Sequence, residues 1–303
     1  MSSRSKRKNK CYWIKGKSFD EIKRKAEFLN KSWSKLKKEL IPPEVTITFL
    51  YQNEYAPLIG TICDEQVKAD DAWKFPEWLN GKIGGLTPEK IEKLDKSKQR
   101  KLRELLEEYF KNKWPNWMKE EDKRDYLERI PKHILDTMRL LKKEGVTPAT
   151  MFENREYTAA EVYLMLRRLP GIGPKKAKMI AKHLQLASED ILGHPWFTQI
   201  KAKNPEFKVT GIITPPIDVQ VVKVFCRIFG VKRRNWKVVK NDPDLIQDIE
   251  AFSMLAFPDM PATIDEIFWN IGREYCKEED PRCSECPLNN ICDYAKKKQA
   301  SST

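Results

Sequence analysis

The sequence lacks the features that define several large classes of protein. It has no run of about 18 apolar residues, the length that a membrane-spanning helix needs. Its basic start, residues 2–10, is not followed by the apolar segment of a secretory signal, so we expect an intracellular protein of the cytoplasm and nucleoid or of a nucleus. The histidines, His133, His183 and His194, are scattered and predict neither a catalytic triad nor a histidine metal site.

Strand patterns are also scarce. Only 45–50 and 207–213 are short segments rich in β-branched residues. Strand patterns do not alternate with helical patterns along the chain, as a parallel sheet requires. Helical patterns cover most of the rest, including 56–67, and Pro131 predicts the first residue of a helix that Gly145 ends. The chain is therefore predicted to be mainly α.

Positive charge is what the sequence has in excess. Among 303 residues, 57 Lys and Arg outnumber 44 Asp and Glu, which gives a net charge of +13. This balance favours a polyanionic partner such as nucleic acid. Composition alone also allows solubility or an acidic membrane surface as the reason for the charge. A hydrophobic fraction of 40% excludes a wholly disordered chain.

Four cysteines are crowded near the C-terminal end of the sequence. They are Cys276, Cys283, Cys286 and Cys292, with six, two and five residues between them. Four thiolates in so short a segment can hold a zinc ion or an iron-sulfur cubane, because both accept four sulfur ligands. The single CxxC and the wide first gap favour the cubane.

The segment 169–178 predicts a tight turn between two helices. Gly171 and Gly173 allow backbone conformations that other residues rarely adopt, and Pro174 suits the first turn of the second helix. Backbone N–H groups at a helix start, with lysines close by, can bind a phosphodiester without reading a base. The segment resembles the helix-hairpin-helix motif. The predicted DNA contacts are Leu169, Gly171, Ile172, Gly173, Lys176 and Lys178.

Asp218 follows Pro215-Pro216 and precedes an apolar helix. A carboxylate at this position accepts backbone N–H bonds and is favoured by the helix dipole, so we expect it to stay ionised. A plain helix cap is the alternative interpretation. Asp190 is another nearby acid, but no apolar helix follows it.

The order of hairpin, acid and cysteine loop resembles the endonuclease III family of DNA glycosylases. The segment 268–276 before the first cysteine fits that family too, whereas an insertion, 185–216, separates the hairpin from the acid. The resemblance implies a mainly α, two-lobed helix-hairpin-helix DNA glycosylase fold with a [4Fe-4S] cluster on the cysteine loop. It divides the chain into a basic N-terminal arm (1–16), an N/C-terminal lobe with the cluster loop (17–50 and 186–303) and a central helical lobe with the hairpin (51–185).

The resemblance also implies roles for three residues. Asp218 matches the catalytic aspartate, which stabilises positive charge on the sugar as the glycosidic bond breaks. Lys175 matches the nucleophile of lyase-competent members; burial, the helix N-terminus and the neighbours Lys176 and Lys178 are expected to keep its amine uncharged. Gln66 matches the glutamine that fills the gap left by an extruded base.

The function expected from the resemblance is base excision repair. The protein would be a monomer that cleaves the N-glycosidic bond of a damaged or mismatched base in double-stranded DNA, with associated AP lyase activity if Lys175 acts. Two alternatives are a non-catalytic iron-sulfur helix-hairpin-helix DNA-binding protein and an electron carrier. Lys175 favours oxidised pyrimidines as the excised bases, as in bifunctional members of the family; mismatched thymine or uracil and oxidised purines are the alternatives.

Overall fold

Contacts divide the chain into two units, and one of them is built from both ends of the sequence. The computed structural model describes residues 14, 16–40, 47–94, 100–231, 236 and 240–300. The described residues of 1–43 and 212–303 form the terminal unit, and those of 44–211 form the central unit. Only Ile14 and Gly16 of the predicted basic arm are described, so that prediction otherwise lies outside the described residues.

Most described residues are helical. In chain order the elements are α1 (Phe19–Leu40), α2 (Thr48–Gln52), α3 (Ala56–Cys63), α4 (Ala69–Ile83), α5 (Pro88–Lys93), α6 (Arg100–Phe110), α7 (Glu120–Glu144), β1 (Glu156–Thr158), α8 (Ala159–Arg167), α9 (Pro174–Ser188), α10 (Pro195–Lys203), β2 (Lys208–Thr210), α11 (Val219–Ile228), α12 (Pro243–Ala256), α13 (Thr263–Glu274), a short 3-10 turn (Asn289–Ile291) and α14 (Asp293–Ala300). Within the described ranges, no helix has both the length and the apolar character needed to cross a bilayer.

The core of the terminal unit surrounds α11. The ring of Phe225 lies 5.0 Å from that of Phe229 and 5.6 Å from that of Phe252, between centroids. Helix α13 packs closely on α11, because Gly272 has no side chain: a Cβ there would lie 2.7 Å from the Cβ of Gln220. Aromatic packing and this close approach fix the position of α11 within its unit.

A buried lysine joins α1 to this core. Lys25 is 5% exposed, and its Nζ donates to the carbonyls of Ile228 and Ile291, both at 2.8 Å, and to Oδ1 of Asp293 at 2.7 Å. A buried ammonium is tolerated only when its donors are paired. Lys25 therefore connects α1, the end of α11 and the segment that follows the cysteine loop.

Helix α7 runs through the central unit and is longer than the sequence predicts. It begins at Glu120, with three acidic residues in its first turn, and ends at Gly145, whose φ is +69°. Pro131 lies inside the helix, so the prediction that it begins the helix is wrong. Proline removes one intrahelical hydrogen bond, and apolar packing offsets that loss, since Pro131 and the flanking Ile130 and Ile134 are buried.

A two-stranded parallel sheet fixes the segment that the sequence predicts as an insertion. Strand β2 pairs with β1, with Tyr157 opposite Val209. Trp196 of α10 donates its Nε1–H to the carbonyl of Pro148 at 2.8 Å. Residues 186–211 therefore belong to the central unit, as do residues 47–50, whereas the sequence prediction grouped both segments with the N/C-terminal lobe.

The strand predicted at 45–50 is not formed over its described part. Residue 47 is the N-cap of α2, and residues 48–50 belong to this helix. The side-chain amide of Gln199 donates to the carbonyls of Leu50 at 2.6 Å and Asn53 at 3.0 Å, at the end of this helix. Gln199 and Leu50 are 149 residues apart in the sequence, so the local pattern of β-branched residues does not reveal this contact.

Candidate functional site

Three successive carbonyls of the hairpin are held by side chains of the central unit. The carbonyl of Pro170 accepts from Thr137 Oγ1 at 2.9 Å, that of Gly171 from Lys176 Nζ at 3.4 Å, and that of Ile172 from Arg167 Nη1 at 2.7 Å. In a trans peptide the N–H points opposite to the C=O. The N–H groups of Gly171 and Gly173 therefore point away from Thr137 and Arg167.

Gly171 is required by both conformation and space. Its φ of +80° lies in the left-handed region, and a Cβ would lie 2.8 Å from the Cβ of His133. The imidazole of His133 is half-buried, and burial, followed by the charges of Arg129 and Lys176, lowers its pKa. A neutral His133 thus packs under the hairpin at neutral pH.

Helix α9 begins directly after the hairpin with a glycine at its N-cap. Gly173 has no side chain to cap the helix, whereas Asp218 and Asp242 cap α11 and α12 with their carboxylates. The first turn of a helix presents N–H groups without intrahelical partners and a positive dipole end. The α9 N-terminus is therefore suited to an anion.

The predicted DNA contacts at the hairpin differ in exposure. Lys175 is exposed, Lys178 is half-buried, and Lys176 is only 7% exposed. The expectation that Lys175 is buried is wrong, and Lys176 points inward instead of towards a phosphate. Leu169 and Ile172 are also buried, at 4% and 2% exposed, so their side chains belong to the core of the unit.

Gln66 lies in a strained turn after α3. The helix ends at Cys63, earlier than predicted, and Gln66 has a φ of +61° with an exposed side chain. Left-handed backbone costs a non-glycine residue roughly 1–2 kcal/mol. Such strain at an exposed residue is typical of functional turns.

Polar residues on one face of α7 support this turn and the hairpin. Arg129, His133 and Thr137 are spaced by four and so share a face. Arg129 Nη1 donates to Glu65 Oε1 at 2.8 Å, beside Gln66, while His133 and Thr137 contact the hairpin. This face was not predicted from the sequence; its signal there is a set of polar residues at helical spacing within an otherwise apolar pattern.

Asp218 is the N-cap of α11. Its Oδ1 accepts the backbone N–H groups of Gln220 at 2.8 Å and Val221 at 2.9 Å, and the residue is half-buried. Asp190 differs in every respect: it is exposed, follows the end of α9 and has a φ of +53°. Only Asp218 of these two combines a fixed carboxylate with a helix N-terminus.

The opposite end of α11 lines a recess that contains the four clustered cysteines. The lining of the recess includes Cys276, Cys283, Cys286, Cys292, Arg227, Tyr275 and Tyr294. Arg227 is buried and donates through Nη1 to Cys276 Sγ at 3.2 Å and to the Lys277 carbonyl at 2.6 Å. Sequence reasoning missed Arg227, because its partners lie about 50 residues further along the chain.

The thiols of this recess lie beside one buried guanidinium. Burial raises the pKa of the Cys286 thiol to about 12 and also raises the pKa of Cys292. Arg227 brings positive charge, and its Nε is buried without a hydrogen-bond partner among the described groups. Within the described residues, however, no group of three or more His, Cys, Asp or Glu side chains is arranged to hold a metal ion.

Comparison with known proteins identifies the fold. No protein-family model matches the chain. A curated thymine-DNA glycosylase of Aeropyrum pernix is 27% identical over 145 residues, which cover 44% of this chain and 64% of the relative. The match thus spans less than two thirds of that protein.

Solved structures resemble nearly the whole chain. The structure of a thermostable thymine-DNA glycosylase is 13% identical with a TM-score of 0.52, and the match covers 90% of this chain and 98% of that one. A non-covalent complex of endonuclease III with DNA is 18% identical with a TM-score of 0.48, over 93% and 98% of the two chains. The first likeness confirms the mainly α helix-hairpin-helix DNA glycosylase fold.

The two hairpin glycines are expected to respond differently to the same substitution. Gly171→Ala adds left-handed strain and a clash with His133, so it should lower the free energy of unfolding by about 2–5 kcal/mol. Gly173→Ala is the matched control: φ is −75° and a Cβ meets nothing within 4 Å, so the loss should be about 1 kcal/mol or less. Urea unfolding of both variants measures the difference. Equal losses would contradict the inferred packing.

Proposed function

We propose that this chain is a DNA glycosylase of base excision repair, which cleaves the N-glycosidic bond of a damaged or mismatched base in duplex DNA. The proposal rests on one observation: a chain with the glycosylase fold has two features that this reaction needs. The first is a backbone turn whose N–H groups point away from the side chains that hold it, and the second is a fixed carboxylate at a helix N-terminus. The turn supplies binding, and the carboxylate supplies the chemistry.

The hairpin is proposed to bind the DNA backbone. The N–H groups of Gly171 and Gly173 point away from Thr137 and Arg167, and the N-terminus of α9 attracts negative charge. Lys175 and Lys178 add cationic side chains at that helix end. Contacts of this kind fix the register of the protein on a duplex without reading its sequence. A net charge of +13 favours the same partner.

Asp218 is proposed to stabilise the sugar cation. Breaking a glycosidic bond develops positive charge on the sugar ring, and a preorganised carboxylate lowers the energy of that state. The two backbone N–H bonds to Oδ1 hold the carboxylate in one orientation, so little reorganisation is needed during the reaction. Asp218 can also orient the attacking water.

Mismatched thymine is the first substrate to test, because the Aeropyrum pernix relative is a thymine-DNA glycosylase. Oxidised pyrimidines are the second, since Lys175 matches the lysine of lyase-competent family members. In the lyase reaction the amine of Lys175 condenses with the C1′ aldehyde of the abasic sugar and releases water. Loss of a C2′ proton from this Schiff base then expels the 3′ phosphate and breaks the strand. Exposure of Lys175 makes its amine accessible to an abasic sugar.

The four clustered cysteines are proposed to hold a [4Fe-4S] cluster. They line one recess, and Arg227 supplies a compensating positive charge there. Because α11 has ten residues, this recess lies about 15 Å along the helix from Asp218. A cluster bound by these thiolates would tie the cysteine loop to the helix that carries the catalytic acid. Its proposed role is structural.

Asp218→Asn tests the catalytic acid. Asn caps a helix as well as Asp does, so the fold should be kept while base release in single turnover slows by about 10²–10³-fold. Asp242→Asn is the matched control, because Asp242 also caps a helix of the terminal unit through its side chain; its rate should not change. Unchanged release by Asp218→Asn would reject the assignment, and DNA binding without release by the wild type would favour a non-catalytic binding protein.

Lys175→Ala tests the lyase step. We expect base excision to continue, whereas borohydride should no longer trap a covalent protein–DNA adduct. Lys178→Ala is the control: it should weaken duplex binding and lower its salt dependence, but keep the adduct. An adduct that persists in Lys175→Ala would remove Lys175 from the mechanism.

Cys283→Ser tests the metal site. Iron content and visible absorption of the purified protein should fall sharply, because one of four ligands is lost. Cys63→Ala, at a buried cysteine of the central unit, should keep both. Stoichiometric zinc without iron in the wild type would refute the cluster.

A further inference from the structure

Lys176 connects three separate segments of the central unit. Its Nζ donates to the carbonyl of Ile62 at 2.8 Å, to Glu65 Oε2 at 3.2 Å and to the carbonyl of Gly171 at 3.4 Å. An ammonium has three N–H donors, and these acceptors use all of them. One buried side chain therefore joins the end of α3, the turn that contains Gln66 and the hairpin.

Glu65 is held from a second side. Besides Lys176, it accepts from Arg129 Nη1 at 2.8 Å, and Arg129 also pairs with Asp125 at 3.0 Å. Burial alone would raise the pKa of Glu65, but Lys176 and Arg129 outweigh burial and lower it. The carboxylate is thus ionised at neutral pH and fixed between helices α7 and α9.

The residue fixed next to this carboxylate is Gln66. Its left-handed backbone is unfavourable by itself, so neighbouring contacts must hold it. Its side chain is exposed, which means that packing of Gln66 itself does not supply those contacts. The ion pairs made by Glu65, the residue next to Gln66 in the chain, are contacts that can help to hold this backbone.

We propose that Lys176 and Glu65 are positioning residues that lock the Gln66 turn to the hairpin, so that phosphate binding and insertion of Gln66 into the duplex occur together. This rests on the proposed glycosylase function, since insertion matters only if a base is extruded. Neither residue touches DNA in this proposal. Lys176 acts through Gly171 on the phosphate-binding turn, and Glu65 acts through the backbone on Gln66.

A purely structural ion pair is the competing explanation. A buried pair is weak evidence for stability, because desolvation of both charges offsets much of their attraction. An apolar residue at position 176 would avoid that cost, yet it would leave the strained turn and the hairpin unconnected. The two explanations therefore differ in the effect of Lys176→Met on extrusion relative to binding.

The experiment uses 2-aminopurine placed beside the lesion that the wild-type protein excises, and its fluorescence reports base extrusion. Lys176→Met should reduce the extruded fraction about tenfold, which corresponds to ~1.4 kcal/mol. Binding of a lesion-free duplex should stay within about threefold of wild type, the equivalent of less than ~1 kcal/mol, because Thr137 and Arg167 still hold the carbonyls that orient the N–H groups of Gly171 and Gly173. Hydrogen exchange at 63–67 should become faster in the DNA-free protein, because the turn has lost its anchor.

Lys182→Met is the matched control. Lys182 is a buried lysine of the same helix, 2% exposed, so its loss removes an equally buried ammonium from α9. Lys182→Met should change the free energy of unfolding without lowering base extrusion relative to binding of the lesion-free duplex. The double variant Glu65→Gln/Lys176→Met should be no worse than Lys176→Met, since the pair works as a unit.

The outcomes separate this inference from the function it rests on. If Lys176→Met extrudes the base as well as Lys182→Met and the wild type do, the positioning role alone would be overturned. A parallel loss of extrusion and lesion-free binding in Lys176→Met would also overturn it, because that is the effect of a structural defect. A wild-type protein that binds duplex but neither extrudes nor excises any base of the panel would overturn the glycosylase function, and the positioning role with it.

Discussion

The direction of the hairpin carbonyls is the constraint on which the candidate DNA-binding surface depends. Side chains from α7, α8 and α9 hold the carbonyls of residues 170–172, and peptide geometry then directs the N–H groups of Gly171 and Gly173 the opposite way. The same arrangement explains why residue 171 is glycine, because the inward carbonyls bring the backbone against His133. A phosphate-binding turn is thus produced by contacts on its buried side.

Buried lysines serve the same purpose in both units. Lys25 joins α1 to the end of α11 and to Asp293, and Lys176 joins α3 and the Gln66 turn to the hairpin. Removing an ammonium from water costs several kcal/mol, and each lysine offsets this cost with carbonyls and a carboxylate. A long side chain with three donors can connect segments that are too far apart for direct backbone contact.

Helix α11 organises the terminal unit in a comparable way. Asp218 caps its start, and Arg227 near its end lies in the recess that contains the four cysteines. Gly272 allows α13 to pack closely on this helix, and the rings of Phe225, Phe229 and Phe252 cover another side. The rigidity of α11 therefore fixes both the carboxylate and one wall of the cysteine recess.

The sequence by itself determined the features that depend on short stretches of chain. Two glycines followed by a proline predict the hairpin, and an acid before an apolar run predicts the cap at Asp218, because each needs only local backbone geometry. Cysteine spacing likewise predicted residues that line one recess. These local patterns, together with the helical periodicity, were sufficient for the mainly α fold.

Only the tertiary structure decided which side chains point where. Lys175 and Lys176 are adjacent, yet one is exposed and the other is buried, because Glu65, 111 residues earlier, pairs with the second. The pairing of β1 with β2 and the supporting face of α7 also join segments distant in sequence. Such contacts have no local signature, since they arise when folding brings remote charges and carbonyls together and burial makes their pairing obligatory.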